Sequence, residues 1–409
     1  MRTVQTILKY TLITFIVLMV GGLSGWYLFV RSQTAATSAV GTARGLGSEP
    51  PSFEGSLGST AANIEGSGTV PSAATSAAPA VPQRLWEADR SPVAGMGFAA
   101  STTVYFAERA SGYIFAADPR TGEIVRLTNT LMPKTYEALF VPVRRGVLLR
   151  SLDKSGAITT FAGTFQATTT ASGAPQALAG YYLARNILAI AADQKSGALF
   201  YLTRGSAQNG VTGTTLQWDG SKQKQPFSSP IASWRPQWGN GEIVLAESAA
   251  DGVPGYAYTL NKAGALTPLL SPAPGLTVLP HPSENAFLYS TSQGGVLGLY
   301  GKIGKSAAAL LPIKTVSEKC VWAPGKSLTA YCAVPSSILS AHFLDDWYRG
   351  KAHTADTWWR VDTSAGTAEV LYAPPQSLDV QNPSVAPSGN YIAFVNGSDQ
   401  SLWVLRIAE

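Results

Sequence analysis

The stretch from Pro335 to Asp356, PSSILSAHFLDDWYRGKAHTAD, gathers the residue types that do chemistry. It holds two of the chain's three histidines, His342 and His353, together with Asp345, Asp346, Trp347, Tyr348, Arg349 and Asp356. Three chemistries suit this set. Asp345 or Asp346 can cap a helical turn while Trp347 packs downward, which makes the stretch a short lid. Trp347, Tyr348 and Arg349 are residue types that dominate binding hot spots, so a protein or glycan can be met here instead. His342-x-x-Asp345 puts two ligating side chains on one helical face, but it matches no established metal pattern. The eight residues form the candidate binding set, and neither a metal, a cofactor nor a catalytic residue is expected.

Other motifs fail on their context. Gly304-Lys305-Ser306 ends like a phosphate-binding loop, but position 299 is Leu299 where the motif needs its first glycine, and a strand turn is expected there. No nucleophile elbow, HExxH pair or EF-hand loop occurs in the chain. His281, between Pro280 and Pro282, reads as a satisfied structural histidine. Asn396-Gly397-Ser398 is a formal glycosylation sequon that Asn-Gly turn chemistry explains fully.

The elements that must carry these residues are short strands. The 409 residues include 40 Gly and 26 Pro with only 13% charged, a mixture for many strands joined by tight turns rather than for helices. The net charge of +5 is a small excess of 30 basic over 25 acidic residues. No Lys/Arg cluster makes a phosphate-tracking stripe, so nucleic acid is not an expected partner.

A repeat runs through the C-terminal four-fifths. Its clearest copy, NPSVAPSGNYIAFVNGSDQSLWVLRI from Asn382 to Ile407, reads strand, turn, strand, turn, strand. The alternation of Tyr391, Ala393 and Val395 with Ile392 and Phe394 suits a strand buried on both faces. This copy resembles the TolB-type, WD-repeat-like propeller repeat, whose common form is a Ser-Pro-Asp-Gly turn followed by an Ile-Ala-Phe strand. CVWAPGKSLTAYCAVP from Cys320 carries the same turn, with Gly325 and Lys326 in place of Asp-Gly. Weaker copies follow backwards at a ~40–45-residue period, from Val278, Trp234, Ile187, Ala138 and Met96. The expected fold is therefore all-β: a seven-bladed β-propeller of four-stranded antiparallel blades. The final copy supplies three strands and RLWEA, Arg84 to Ala88, is an orphan strand. Pairing the two closes the ring and removes an exposed sheet edge. The least secure blade boundary falls within Gln166 to Leu183.

The only cysteines, Cys320 and Cys332, fall on neighbouring strands of the sixth copy, opposite each other to within one residue. A cross-strand disulfide fits that placement. Two buried thiols are the alternative.

Tyr10 to Val30 is an uncharged run, long enough at about 20 residues to cross a ~30 Å hydrocarbon core. Lys9 and Arg31 bracket it, with Trp26 and Tyr27 at its outer end. A cleavable signal peptide is the rival, with an apolar region of only ~7–15 residues. Residues 1–9 are expected in the cytoplasm, 10–30 as a transmembrane helix anchoring the chain, 31–83 as a disordered linker, and 84–409 as an extracytoplasmic propeller. The linker's Ala, Ser, Thr, Gly and Pro cannot offset the entropy of ordering, and it should span roughly 40 Å as a coil. Gly21 and Gly25 form a GxxxG pair that suits weak dimerisation of the span.

In a four-stranded blade the first-to-second and third-to-fourth turns share one face of the disc. The second-to-third loops and the inter-blade connections share the other. Here the long excursions fall on the second face: 129–136, 204–213, 248–255 and 335–356. Binding residues concentrate on loops held by a rigid scaffold. The expected role is a membrane-anchored binding or scaffolding module of the cell envelope, with a protein or glycan on the long-loop face. A hydrolase or lyase of an envelope polymer, working in the central channel, is the alternative. The TolB-type resemblance implies interaction more than catalysis.

Overall fold

The computed structural model describes residues 83–166, 174–205 and 210–407. The expected transmembrane helix at 10–30 and all but the last residue of the linker at 31–83 lie outside the described residues. Among the described residues no helix is long and apolar enough to cross a membrane.

Seven antiparallel sheets of four strands follow one another along the chain. Their first strands are Val93–Phe98, Thr135–Val141, Ala189–Ala192, Trp234–Gly239, Thr277–Pro280, Cys320–Trp322 and Val380–Val385, which open blades one to seven. First strands of consecutive blades approach one another, as strands around a common axis do. Of the uncertain stretch in blade two, residues 167–173 lie outside the described residues, and Ala179–Tyr182 forms the outer strand, paired with Phe161 to Thr164.

Apolar residues on both faces of each strand drive this stacking, because a sheet buried on both sides needs two neighbours. Seven apolar clusters result, one between each pair of adjacent blades. The cluster between blades seven and one joins Ala393, Leu402 and Val404 to Val93 and Phe106. The strand Tyr391–Asn396, foreseen as two-sided, is buried from Ile392 through Asn396.

Ring closure follows the sequence expectation. Leu85–Asp89 pairs antiparallel with Leu402–Arg406 as the outer strand of blade seven, with Leu85 opposite Leu405. Arg84 fastens this seam by donating to the carbonyl of Leu371 at 3.2 Å and lying 5.1 Å from the Tyr372 ring in blade six.

Cys320 and Cys332 are directly opposed on the first two strands of blade six and bonded, with S–S 2.11 Å. Both are also buried in the apolar cluster between blades five and six, so the bond replaces two thiols without adding polar surface. Tight turns need left-handed residues, and Gly389 at φ 74° supplies one in the turn before Tyr391.

His281 is fully buried and satisfied on both ring nitrogens. Nδ1 accepts from the backbone N–H of Ser283 and Glu284 at 3.0 and 2.9 Å, and Nε2 lies 3.0 Å from the carbonyl of Ser327. Gly304 lies in the turn after strand Val296–Ile303, with no helix behind it.

Candidate functional site

The 335–356 excursion leaves blade six from Thr329–Pro335 and returns as Asp356–Asp362, on the long-loop face. Its centre is one short helix, α1, Phe343–Tyr348. Gly350 at φ 66° ends the turn, where its N–H meets the carbonyl of Trp347 at 3.0 Å. Phe343, Leu344 and Trp347 pack beneath α1 onto Ala249, Leu297 and Val316 from the neighbouring loops. The lid reading therefore holds in its packing. Its capping does not: His342 occupies the N-cap position and no side chain caps the helix, while Asp345 and Asp346 lie inside the first turn. Carboxylates there favour the exposed N–H groups of that turn without taking the cap's hydrogen bond.

Below α1 lies a buried ionic network that the sequence did not reveal. Lys319, just before the first strand of blade six, is fully buried. Its Nζ donates to Asp356 Oδ2 and Asp379 Oδ1, both at 2.6 Å, to Thr354 Oγ1 at 2.9 Å and to the Val380 carbonyl at 3.0 Å. Trp347 Nε1 donates to Asp379 Oδ1 at 3.0 Å, and His353 Nδ1 lies 3.0 Å from Asp379 Oδ2. Asp356 thus serves the network and is not free for a ligand. The position a cation would take between two carboxylates is filled by an ammonium.

The two carboxyls respond differently. Burial pushes the Asp356 carboxyl above its usual range, more than Lys319 and the Val380 N–H pull it down. Its Oδ1 has no partner among the described residues, which agrees with that direction. Burial also pushes Asp379 up, but Lys319, His353 and Trp347 together hold it below the usual value.

A second constellation faces solvent beside this network. Arg235, second residue of the first strand of blade four, reaches Glu318, next to Lys319 in the connection into blade six. Tyr348 from α1 donates to Glu318 Oε1 at 3.0 Å, and the Arg235 guanidinium lies 4.2 Å from the Tyr348 ring centre. Burial and the adjacent Glu318 charge raise the Tyr348 hydroxyl well above its usual value, so it stays a donor. Burial tends to lower Arg235, but Glu318 and Tyr348 outweigh it and keep the guanidinium charged.

Together with Trp347, Gln381 and Asn382 these residues line a recess of about 190 Å³. The recess sits at the axis on the long-loop face, because Arg235, Gln381 and Asn382 are near the starts of first strands. Gln381 and Asn382 are turned there by a register shift between Gln381 and Ser384, with Asn382 held at φ 49°. Such irregularities recur where a side chain must be re-aimed, and a left-handed residue ahead of Pro383 is costly backbone.

Of the eight predicted residues, the structure brings Trp347, Tyr348, His353 and Asp356 to this region. Trp347 and Asp356 are buried, Tyr348 lines the recess, and His353 is partly exposed at the network's edge. His342 and Arg349 are exposed on α1's outer side, and Asp345 and Asp346 are half-buried, all four away from the recess lining. Among the described residues no three His, Cys, Asp or Glu side chains group to hold a metal ion. Sequence reasoning missed Arg235, Glu318, Lys319, Asp379, Gln381 and Asn382. A signal existed for two of them: Lys319 and Asp379 are charged residues at the same place, immediately before the first strand, in the two best-formed repeats.

No protein-family model matches the chain, and no curated protein matches it significantly. Solved structures do match in shape. A streptogramin B lyase structure has TM-score 0.50 at 13% identity, over 79% of this chain and 97% of that one. The Pan2 WD40 domain of Neurospora crassa has TM-score 0.51 at 12% identity, over 78% and 90%. The β-propeller domain of the Trilobed protease from Pyrococcus furiosus has TM-score 0.51 at 9% identity, over 78% and 98%. At these identities the likeness carries the fold alone, and the chain is a seven-bladed β-propeller.

Proposed function

We propose that this chain is a tethered binding module whose ligand, an envelope protein or glycan, seats in the channel-mouth recess between Arg235, Glu318 and Tyr348. The observation that carries this reading is a solvent-facing recess built from three separate blades and floored by a buried network. Arg235 comes from blade four, Glu318 and Tyr348 from blade six and its approach, and Gln381 and Asn382 from blade seven. The Lys319 network beneath fixes α1 through Trp347, so the recess is pre-shaped and the ligand need not order it.

Anchoring through residues 10–30, with the propeller outside the cytoplasm, belongs to the same proposal. The uncharged run supports it, and so does the Cys320–Cys332 bond, since disulfides persist in oxidising compartments. The rival, a hydrolase or lyase of an envelope polymer, would call on an ionisable group free to move protons. The two ionised side chains lining the recess, Arg235 and Glu318, are paired with each other, which favours binding.

The test is a crosslinked pulldown from envelope extract with the intact chain and with Arg235→Ala/Gln381→Ala. Loss of the captured species in the double variant, with thermal unfolding still cooperative, is the expected result. Equal capture by both would move the binding site elsewhere.

A further inference from the structure

We infer that the recess recognises a single neutral sugar unit, the glycan branch of the binding role proposed above, on which this inference rests. Charge comes first. Arg235 and Glu318 are the charged pair of the lining, and each has its opposite beside it, with Tyr348 on the same carboxylate oxygen. An anionic ligand on the free Arg235 N–H groups would lie beside the like charge of Glu318, and a cationic one on the free Glu318 oxygen beside that of Arg235. Each meets repulsion along with attraction, so a charged ligand gains little. A ligand that leaves the pair intact is favoured.

Hydrogen-bonding capacity points the same way. Arg235 offers further N–H groups beyond the one given to Glu318, and the second Glu318 oxygen accepts nothing among the described residues. The Gln381 and Asn382 amides each present donors and acceptors. Donors and acceptors therefore both line one small opening, and vicinal hydroxyls, each both donor and acceptor, match that set. At about 190 Å³ the recess has room for one ring and not for a folded peptide segment.

The backbone at Asn382 adds an independent observation. Its left-handed conformation before Pro383 is an expense with no packing return, since Asn382 is exposed. What it does achieve is to set Asn382 beside Gln381 in the lining of the recess. Asn382→Gly would relieve that backbone cost while deleting the amide, so a stability requirement and a recognition requirement make opposite demands on this residue.

The experiment uses the full-length chain in a detergent without a sugar headgroup. Methyl glucoside, methyl galactoside, methyl mannoside and N-acetylglucosamine are titrated and followed by saturation-transfer NMR, with glucuronate and glucosamine as charged counterparts. At least one neutral sugar should saturate with a dissociation constant on the order of millimolar, as suits one ring. Its charged counterpart should bind about tenfold more weakly, and Asn382→Gly and Gln381→Ala should each cost about tenfold in affinity, with Asn382→Gly melting no lower than the parent. Tighter binding of glucuronate or glucosamine, or indifference to both variants, would overturn the inference. If no sugar saturates while the pulldown still depends on Arg235 and Gln381, the neutral-sugar assignment falls and the binding site stands. If neither depends on the recess, both fall.

Discussion

Lys319 carries a full positive charge where water does not reach, and it is held there by two carboxylates, a hydroxyl and a carbonyl. Removing the ammonium leaves Asp356 and Asp379 buried and uncompensated. Lys319→Met should therefore cost about 3–5 kcal/mol in urea unfolding, and adding Asp356→Asn and Asp379→Asn should recover part of that loss. His281 sets a pH dependence. Burial keeps its imidazole below the usual value, against the pull of the Ser327 carbonyl, so the folded protein binds fewer protons than the unfolded chain below about pH 6.5. The stability it contributes is complete above that pH and drains away as pH falls through the lowered folded value. Unfolding measured between about pH 7 and 5 should show this slope, and His281→Asn should abolish it while keeping an acceptor near the Ser283 and Glu284 N–H groups. At this scale the sequence was partly legible. His281 between two prolines could be read as structural, whereas the ion pairing of Lys319 with Asp379, sixty positions later, needs two blades set side by side.

The closing strand is the element on which the ring depends. Leu85–Asp89 covers the edge of Leu402–Arg406, and Leu85 and Ala88 enter the apolar clusters on its two sides. A chain lacking residues 1–82 keeps that strand and should unfold cooperatively as a monomer. One lacking residues 1–90 exposes a five-residue strand edge and should self-associate in size-exclusion chromatography. A monomeric, cooperatively unfolding shorter chain would show that the strand is dispensable. Strands and turns of this kind were visible in advance because their determinants are local: two-sided apolar runs and glycines at left-handed turn positions. The helix α1 was also foreseen as a lid, but its capping was assigned to the wrong residues, because the position of a first turn shifts with where the chain enters from blade six.

Seen whole, the disc has two unlike faces, and the topology assigns them. Arg84 leads into Leu85–Asp89 from the tight-turn face, since that strand runs antiparallel to Leu402–Arg406, which starts on the long-loop face. The recess opens on the opposite face from this point of entry into the strand. A bulky maleimide adduct on Ser388→Cys, in a tight turn, should leave capture of the partner unchanged. The same adduct on Gln381→Cys, in the recess lining, should block it. Pulldown with both labelled proteins decides; equal effects would dissolve the distinction between the faces. The eight-residue set came from a single excursion, whereas the recess is lined from blades four, six and seven. A propeller's axis collects one or two side chains from each of several blades, so no single stretch of sequence can contain such a recess.

What the amino-acid order determined alone is the repeating unit and its closure: two-sided apolar strands, left-handed glycines and an unpaired strand at each end can satisfy themselves only as a ring. The facing of the two cysteines could be read too, because a hairpin sets its own register, while the choice of a bond over two thiols came with the structure. The tertiary structure decided which charges meet. Arg235 with Glu318, and Lys319 with Asp379, are partners across blades, while Lys319 meets Asp356 across the strands of blade six, and their attraction depends on separations through space that the spacing along the chain does not encode.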